Sequence, residues 1–147
     1  MTVNGLGVIN GTHMTLQGKD YIDIVGKGYG GQQIDSTFIS DHLRNRRSEL
    51  WGHHLRINTD TLENTGNIVA HTMHISAKTM HNAGFVESKD TLQFTGNDLV
   101  QDKGIMKANQ TVHISANHIR NSNSSVLEAG NSVHITGDTL HNDASHI

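Results

Sequence analysis

Met73-His-Ile75-Ser-Ala-Lys-Thr-Met80-His-Asn82 decides the fold. Met73-His-Ile75 alternates with period two, the pattern of a strand with one buried face. Met80 follows Ile75 by five residues and the amide of Asn82 follows it by seven. That frame recurs downstream as Phe94, Leu99, Gln101, then Ile114, Ile119, Asn121, then Ile135, Leu140, Asn142. Upstream it reads Ile57, Leu62, Asn64, then Phe38, Leu43, Asn45 and, in a weaker form, Leu16, Tyr21, Asp23.

Spacing between units drifts while spacing within them stays fixed. Successive first positions from Phe38 to Ile135 lie 19, 18, 19, 20 and 21 residues apart, and all of the drift falls after the amide. One corner is therefore expected to be fixed and the remainder to tolerate insertion. A unit of about 20 residues, built of two or three short strands with Gly and Asn turns, cannot bury its own apolar face and must stack on its neighbours. The prediction is an all-β protein: a right-handed parallel β-helix of about seven coils, each of roughly 18–21 residues, forming a rod on the order of 30 Å long. Residues 1–37 are expected to form irregular first coils or a separate N-terminal element, and residues 38–147 the regular helix.

Composition agrees. Only 34% of the 147 residues are apolar and 4% aromatic, too few for one large globular core, yet a net charge of −3 and 17% charged residues do not describe a disordered chain. Proline is absent, which suits strands whose every N–H is needed in a ladder. Absence of cysteine excludes disulfides, Cys-ligated zinc and thiol redox chemistry. Arg44, Arg46 and Arg47 form the one basic cluster and read as a solvated turn, so nucleic acid is not expected as a partner. No segment has the length of a membrane span, and the first residues lack the basic start and apolar core of a signal peptide.

In such a helix equivalent residues lie above one another. Phe38, Ile57, Ile75, Phe94, Ile114 and Ile135 are predicted to form one interior column, and Leu43, Leu62, Met80, Leu99, Ile119 and Leu140 a second. Asn45, Asn64, Asn82, Gln101, Asn121 and Asn142 are predicted to form a structural amide ladder, each donating to one neighbour and accepting from the other. Asn also tolerates the left-handed conformation of a sharp corner. Gly66, Gly84 and Gly104 are expected to supply positive φ in the next turn, and Ala70, Ala108 and Ala129 to fill a tight corner. His74, His113 and His134 fall in outward register, with Arg56 and Gln93 between them. This reads as a solvated polar face, with no metal or other cofactor. Trp51 and Phe85 are candidates for exposed contacts or for a buried corner.

Leu62-Glu-Asn-Thr-Gly-Asn-Ile-Val-Ala70 and Met80-His-Asn-Ala-Gly-Phe-Val-Glu-Ser88 resemble the haemagglutinin repeats of filamentous haemagglutinins, and Val112-His-Ile-Ser-Ala116 and Val133-His-Ile-Thr-Gly137 fit the intervening strand of that repeat. The resemblance spans residues 38–147 and continues weakly to about residue 12. It implies a shaft segment of a large bacterial exoprotein exported by two-partner secretion, secreted or held at the cell surface, as in contact-dependent inhibition toxins. The implied partners, through the parent protein, are a receptor on a host or bacterial cell and an outer-membrane secretion partner. No secretion domain and no Val-Glu-Asn-Asn toxin boundary is seen, and the sequence stops in mid-coil at His146-Ile147. A shaft fragment is therefore expected, with end-to-end self-association through its strand edges.

Other chemistry is set aside. Gly26-Lys-Gly-Tyr-Gly-Gly31 follows the strand-like Tyr21-Ile-Asp-Ile-Val25 and matches G-x-G-x-x-G, but a dinucleotide site needs a helix there and Gln32-Gln-Ile-Asp-Ser-Thr is a poor one. The same stretch is a single copy of a calcium nonapeptide, where tandem copies are required. A β-helical polysaccharide-acting enzyme is the alternative class, and it needs converging carboxylates. Asp60, Asp90, Asp98, Asp102 and Asp138 fall at differing phases, and Glu63, Glu87 and Glu128 likewise fall out of register. No catalytic residue is assigned.

Overall fold

The computed structural model describes residues 2–4, 12–26, 29–30 and 35–147. These form one 14-stranded parallel sheet wound into a β-solenoid, with no helix among the described residues. The regular coils run through β5 (Asp35–Arg46), β6 (Glu49–Asn64), β7 (Asn67–Asn82), β8 (Phe85–Ser88), β9 (Thr91–Asp102), β10 (Ile105–Ala108), β11 (Thr111–Ser122) and β12 (Val126–Ala129). The last coil holds β13 (Ser132–Thr136) and β14 (Thr139–Asp143). Before them lie β1 (Thr2–Asn4), β2 (His13–Gln17), β3 (Tyr21–Val25) and β4 (Tyr29–Gly30).

Both interior columns exist as predicted, except that Leu140 of the last coil is half exposed. Leu16, Phe38, Ile57, Ile75, Phe94, Ile114 and Ile135 are direct cross-strand partners, so seven levels stack through six turns. Leu43, Leu62, Met80, Leu99, Ile119 and Leu140 form the second column. Two further inward columns accompany them, one unread in the sequence and one read only in part, through the alternation at Met73, Val112 and Val133. One is Leu50, Ile68, Val86, Met106 and Leu127, and the other is Leu55, Met73, Leu92, Val112 and Val133. Phe38 and Phe94 are fully buried, and each large side chain so buried contributes about 1.5–3 kcal/mol. The boundary between residues 37 and 38 lies inside β5, which pairs with β2 and β3 below and β6 above.

The first coil departs from the frame. Leu43 stacks on Ile22 and Asn45 on Ile24, so Tyr21 and Asp23 do not hold the column positions expected of them. Leu16 to Ile22 is six residues, one more than in every later unit. The extra residue lies in the Gly18-Lys-Asp20 turn, where Gly18 N donates to Ile39 O and His42 N to Asp20 O. Burial then selects the phase of the strand that places Ile22 and Ile24 inside and leaves Tyr21 exposed.

From Phe38 onward the insertions fall at two corners, both after the amide. The first follows it directly. It holds two residues in Thr65-Gly66 and Ala83-Gly84, three in Arg46–Ser48, Asp102–Gly104 and Asp143–Ser145, and four in Ser122–Ser125. Left-handed φ occurs at Arg47, Lys103 and Ala144, once in each three-residue corner, and at both Asn123 and Ser124 in the four-residue corner. Each residue beyond two is thus absorbed by one left-handed residue, which reverses the chain locally without disturbing the strands on either side. The second insertion point is Lys89-Asp90, opposite the single residue His71 of the coil below.

The corner glycines therefore have another role from the one expected. Gly66 and Gly84 do not have positive φ, and neither do the ladder asparagines. A Cβ on Gly66 would lie 2.2 Å from Ser48 O and 2.6 Å from Ser48 N, and one on Gly84 would lie 2.2 Å from Gly66 O. Glycine is needed there because consecutive corners touch backbone to backbone. The small-residue corner is confirmed and extended, since Gly52, Ala70, Ser88, Ala108 and Ala129 stack as one column.

Candidate functional site: the amide ladder and the outer faces

The structure brings all six predicted ladder residues together. Nδ2 of Asn45 donates to Oδ1 of Asn64 at 2.8 Å, Asn64 to Asn82 at 2.9 Å, and Asn82 to Oε1 of Gln101 at 3.0 Å. Gln101 Nε2 donates to Asn121 Oδ1 at 3.4 Å and Asn121 Nδ2 to Asn142 Oδ1 at 2.9 Å. Every amide points the same way, from the first coil towards the last. The second Nδ2 proton reaches a backbone carbonyl of the following corner, Asn67 O, Phe85 O, Ile105 O or His146 O, while Gly66 N and Gly84 N donate back to Oδ1 of Asn64 and Asn82. The five amides from Asn45 to Asn121 are buried, so these bonds answer groups that water cannot reach.

The ladder ends differently at its two limits. Asn45 Oδ1 is buried without a hydrogen-bond partner, because the slot beneath it holds Ile24, which has no donor to offer. At the other limit Asn142 Nδ2 turns to Ser145 O at 3.2 Å, and the chain around it is exposed.

Three outer faces surround this interior. The face made by β6, β7, β9, β11 and β13 presents Arg56, His74, Gln93, His113 and His134 in one exposed column, as the sequence predicts. The rings of His113 and His134 stack at 4.9 Å and 11°. The second face, which follows it around the coil, mixes Arg44, Glu63, His81, Arg120 and His141. The third face presents Trp51, 38% exposed, and the half-buried Phe85, with Nζ of Lys107 5.1 Å from the Phe85 ring centre. Sequence reading missed a corner pair, His53 stacked on His71 at 5.0 Å.

Carboxylates meet cations on the neighbouring coil. Arg44 reaches Glu63 at 3.2 Å and Lys78 reaches Asp60 at 2.9 Å. Arg46 grips both oxygens of Asp23, with Nε to Oδ1 at 2.8 Å, and the bonded carboxylate holds the guanidinium above its ordinary pKa, by the hydrogen bond first and by charge second. The arginine cluster is thus two paired side chains and one corner residue, Arg47. Glu87 and Glu128, expected out of register, share one column, with Lys107 between them and 3.4 Å from Glu87. Asp60 and Asp138 also share a corner line, separated by Lys78, Asn97 and Asn117.

The surface depressions cross neighbouring strands, such as that lined by Gln93 of β9, His113 and Ser115 of β11, and His134 and Thr136 of β13. Among the described residues no three His, Asp or Glu side chains group to hold a metal ion. The glycine motif lies largely outside the described residues; of its six positions Gly26, Tyr29 and Gly30 are described, and Gly26 has φ 109°. Asp35, five residues after Gly30, already begins a strand. No protein-family model, curated protein or solved structure matches the chain.

Proposed function

We propose that the chain is a structural and adhesive shaft segment of a secreted bacterial surface exoprotein of the filamentous haemagglutinin kind. The observation that supports this most is the uniformity of the interior: the same columns and the same polarised amide ladder run from Asn45 to Asn142. Length in such a structure is added coil by coil, and each coil presents the same outward positions to solvent. Binding to a cell-surface receptor would then be spread along the rod, with export depending on an outer-membrane secretion partner of the parent protein. The last coil, with Leu140 half exposed and β13 and β14 each paired on one side only, is the surface through which coils of another chain would add.

Fluorescently labelled chain incubated with epithelial and bacterial cells tests the adhesive part, with saturable retention expected. The same preparation incubated with polyuronides and neutral glucans tests the alternative class. A shaft releases no reducing ends, whereas steady release proportional to protein concentration would replace this reading with that of a β-helical polysaccharide-acting enzyme.

A further inference from the structure

The third face, made by the starts of β6 and β7 and by β8, β10 and β12, differs from the other two in what it turns outward. At each of its five levels one of the two outward positions is apolar: Trp51, Val69, Phe85, Ile105 and Val126. Phe85, Ile105 and Val126 follow one another in one column. Trp51 and Val69 lie in the other, which continues as Glu87, Lys107 and Glu128. At the same five levels the outward strand positions of the first face are all polar, and those of the second hold Val100 alone. Single apolar residues are ordinary on a surface, whereas a run continuous over neighbouring coils marks a place of contact.

We infer that this face packs side by side against the same face of a second copy of the chain, with the two rods antiparallel. Charge complementarity selects both the partner and its direction. A twofold axis lying between the two faces and parallel to the strands, midway between the levels of Phe85 and Ile105, reverses the order of the levels and keeps each position along the strand. Phe85 then faces Ile105 of the second copy and Glu87 faces its Lys107, and each contact occurs twice. Farther out, Glu49 faces His146, which bridges to Val126 and so continues the column. The less favourable pairs, Asn67 with Val126 and Val69 with Glu128, lie towards the margins, where the exposed Glu128 keeps its carboxylate in water. An axis through the level of Phe85 sets Glu87 against itself, and one through the level of Ile105 sets Lys107 against itself. Parallel rods fare worse, because their axis reverses the strand direction and sets Phe85 against Glu87 and Ile105 against Lys107. Within one chain Lys107 lies 3.4 Å from Glu87 and 5.1 Å from the Phe85 ring centre, so the second copy extends an alternation of charge that is already present. The face covers five levels of about 4.8 Å by strands of about 13 Å. That is small beside a permanent dimer interface, and reversible, concentration-dependent association follows. The contact is separate from the addition of coils at the last level, which uses strand edges and not a face.

Sedimentation equilibrium at chain concentrations from about 10 μM to 1 mM tests the contact, with circular dichroism checking that each variant is folded. The weight-average mass of the wild-type chain should climb above that of one chain. In Leu140→Lys, whose charged last coil disfavours the addition of coils, it should climb towards two chains and stop, because a twofold contact closes. Lys107→Glu sets a carboxylate against Glu87 of the second copy and should weaken association at least about tenfold. Glu87→Lys should do the same by setting two ammonium groups together. Combining the two substitutions exchanges the charges and should restore the wild-type association, a rescue that a general loss of stability would not give. A folded chain that stays monomeric throughout, loss of association or growth past two chains in Leu140→Lys, a Lys107→Glu variant that associates like the wild type, or an exchanged variant that stays weakened would each overturn the inference.

Discussion

The coil containing Ile22 and Ile24 and the coils from Ile57 to Gln101 solve the same packing problem with different residues in one slot. In the later coils the slot holds an amide, which at Asn64 and Asn82 uses its oxygen and both its protons. In the first it holds Ile24, fully buried, and the amide above it keeps a buried acceptor without a donor. Burial is satisfied equally well by both. What the amide adds is specification: it accepts only a neighbour with its own amide at the same level, so a slip of register by one residue leaves a buried polar group unpaired. Ile24 marks where that specification stops.

Gly66→Ala should have the largest effect on stability, because the new Cβ meets backbone atoms of Ser48 and the coils must separate locally. A loss of about 4 kcal/mol in urea unfolding is expected. Next comes the ladder itself. Asn82→Leu orphans groups on Asn64, Gln101, Gly84 and Ile105 and should cost about 3 kcal/mol. Asn45→Leu removes a residue whose oxygen is already unpaired and should cost about half as much; equal losses at the two positions would break the comparison. Ile24→Asn supplies the missing donor at the expense of apolar burial, and a change within about 1 kcal/mol of neutral is expected. The smallest effect is at the corner. Lys103→Gly relieves left-handed strain and should stabilise by about 0.5–1 kcal/mol, whereas Asn123→Gly should gain less because asparagine tolerates that conformation.

The pattern of five and seven residues made the regular coils legible because one corner has constant length, and the ladder was legible because an amide recurs at its slot in six successive units. The first coil misled the same reasoning. Tyr21-Ile-Asp-Ile-Val25 alternates in either phase, and a constant spacing chose Tyr21 and Asp23 where the longer Gly18 turn and the pull of burial choose Ile22 and Ile24. The column from Leu50 to Leu127 was hidden for a related reason, since it lies between two corners that both vary in length. Corner glycines suggested positive φ, yet the need is close approach, a property of the neighbouring coil that no single repeat displays. Glu87 and Glu128 looked unrelated at a separation of 41 residues, the sum of two unequal coils.

Side-chain amide hydrogen exchange measured by NMR reads the polarised interior ladder residue by residue. Strong protection is expected for the amide protons of Asn45, Asn64, Asn82, Gln101 and Asn121, with Asn142 exchanging fastest. Exchange of all six at the rate of exposed asparagine and glutamine would contradict it.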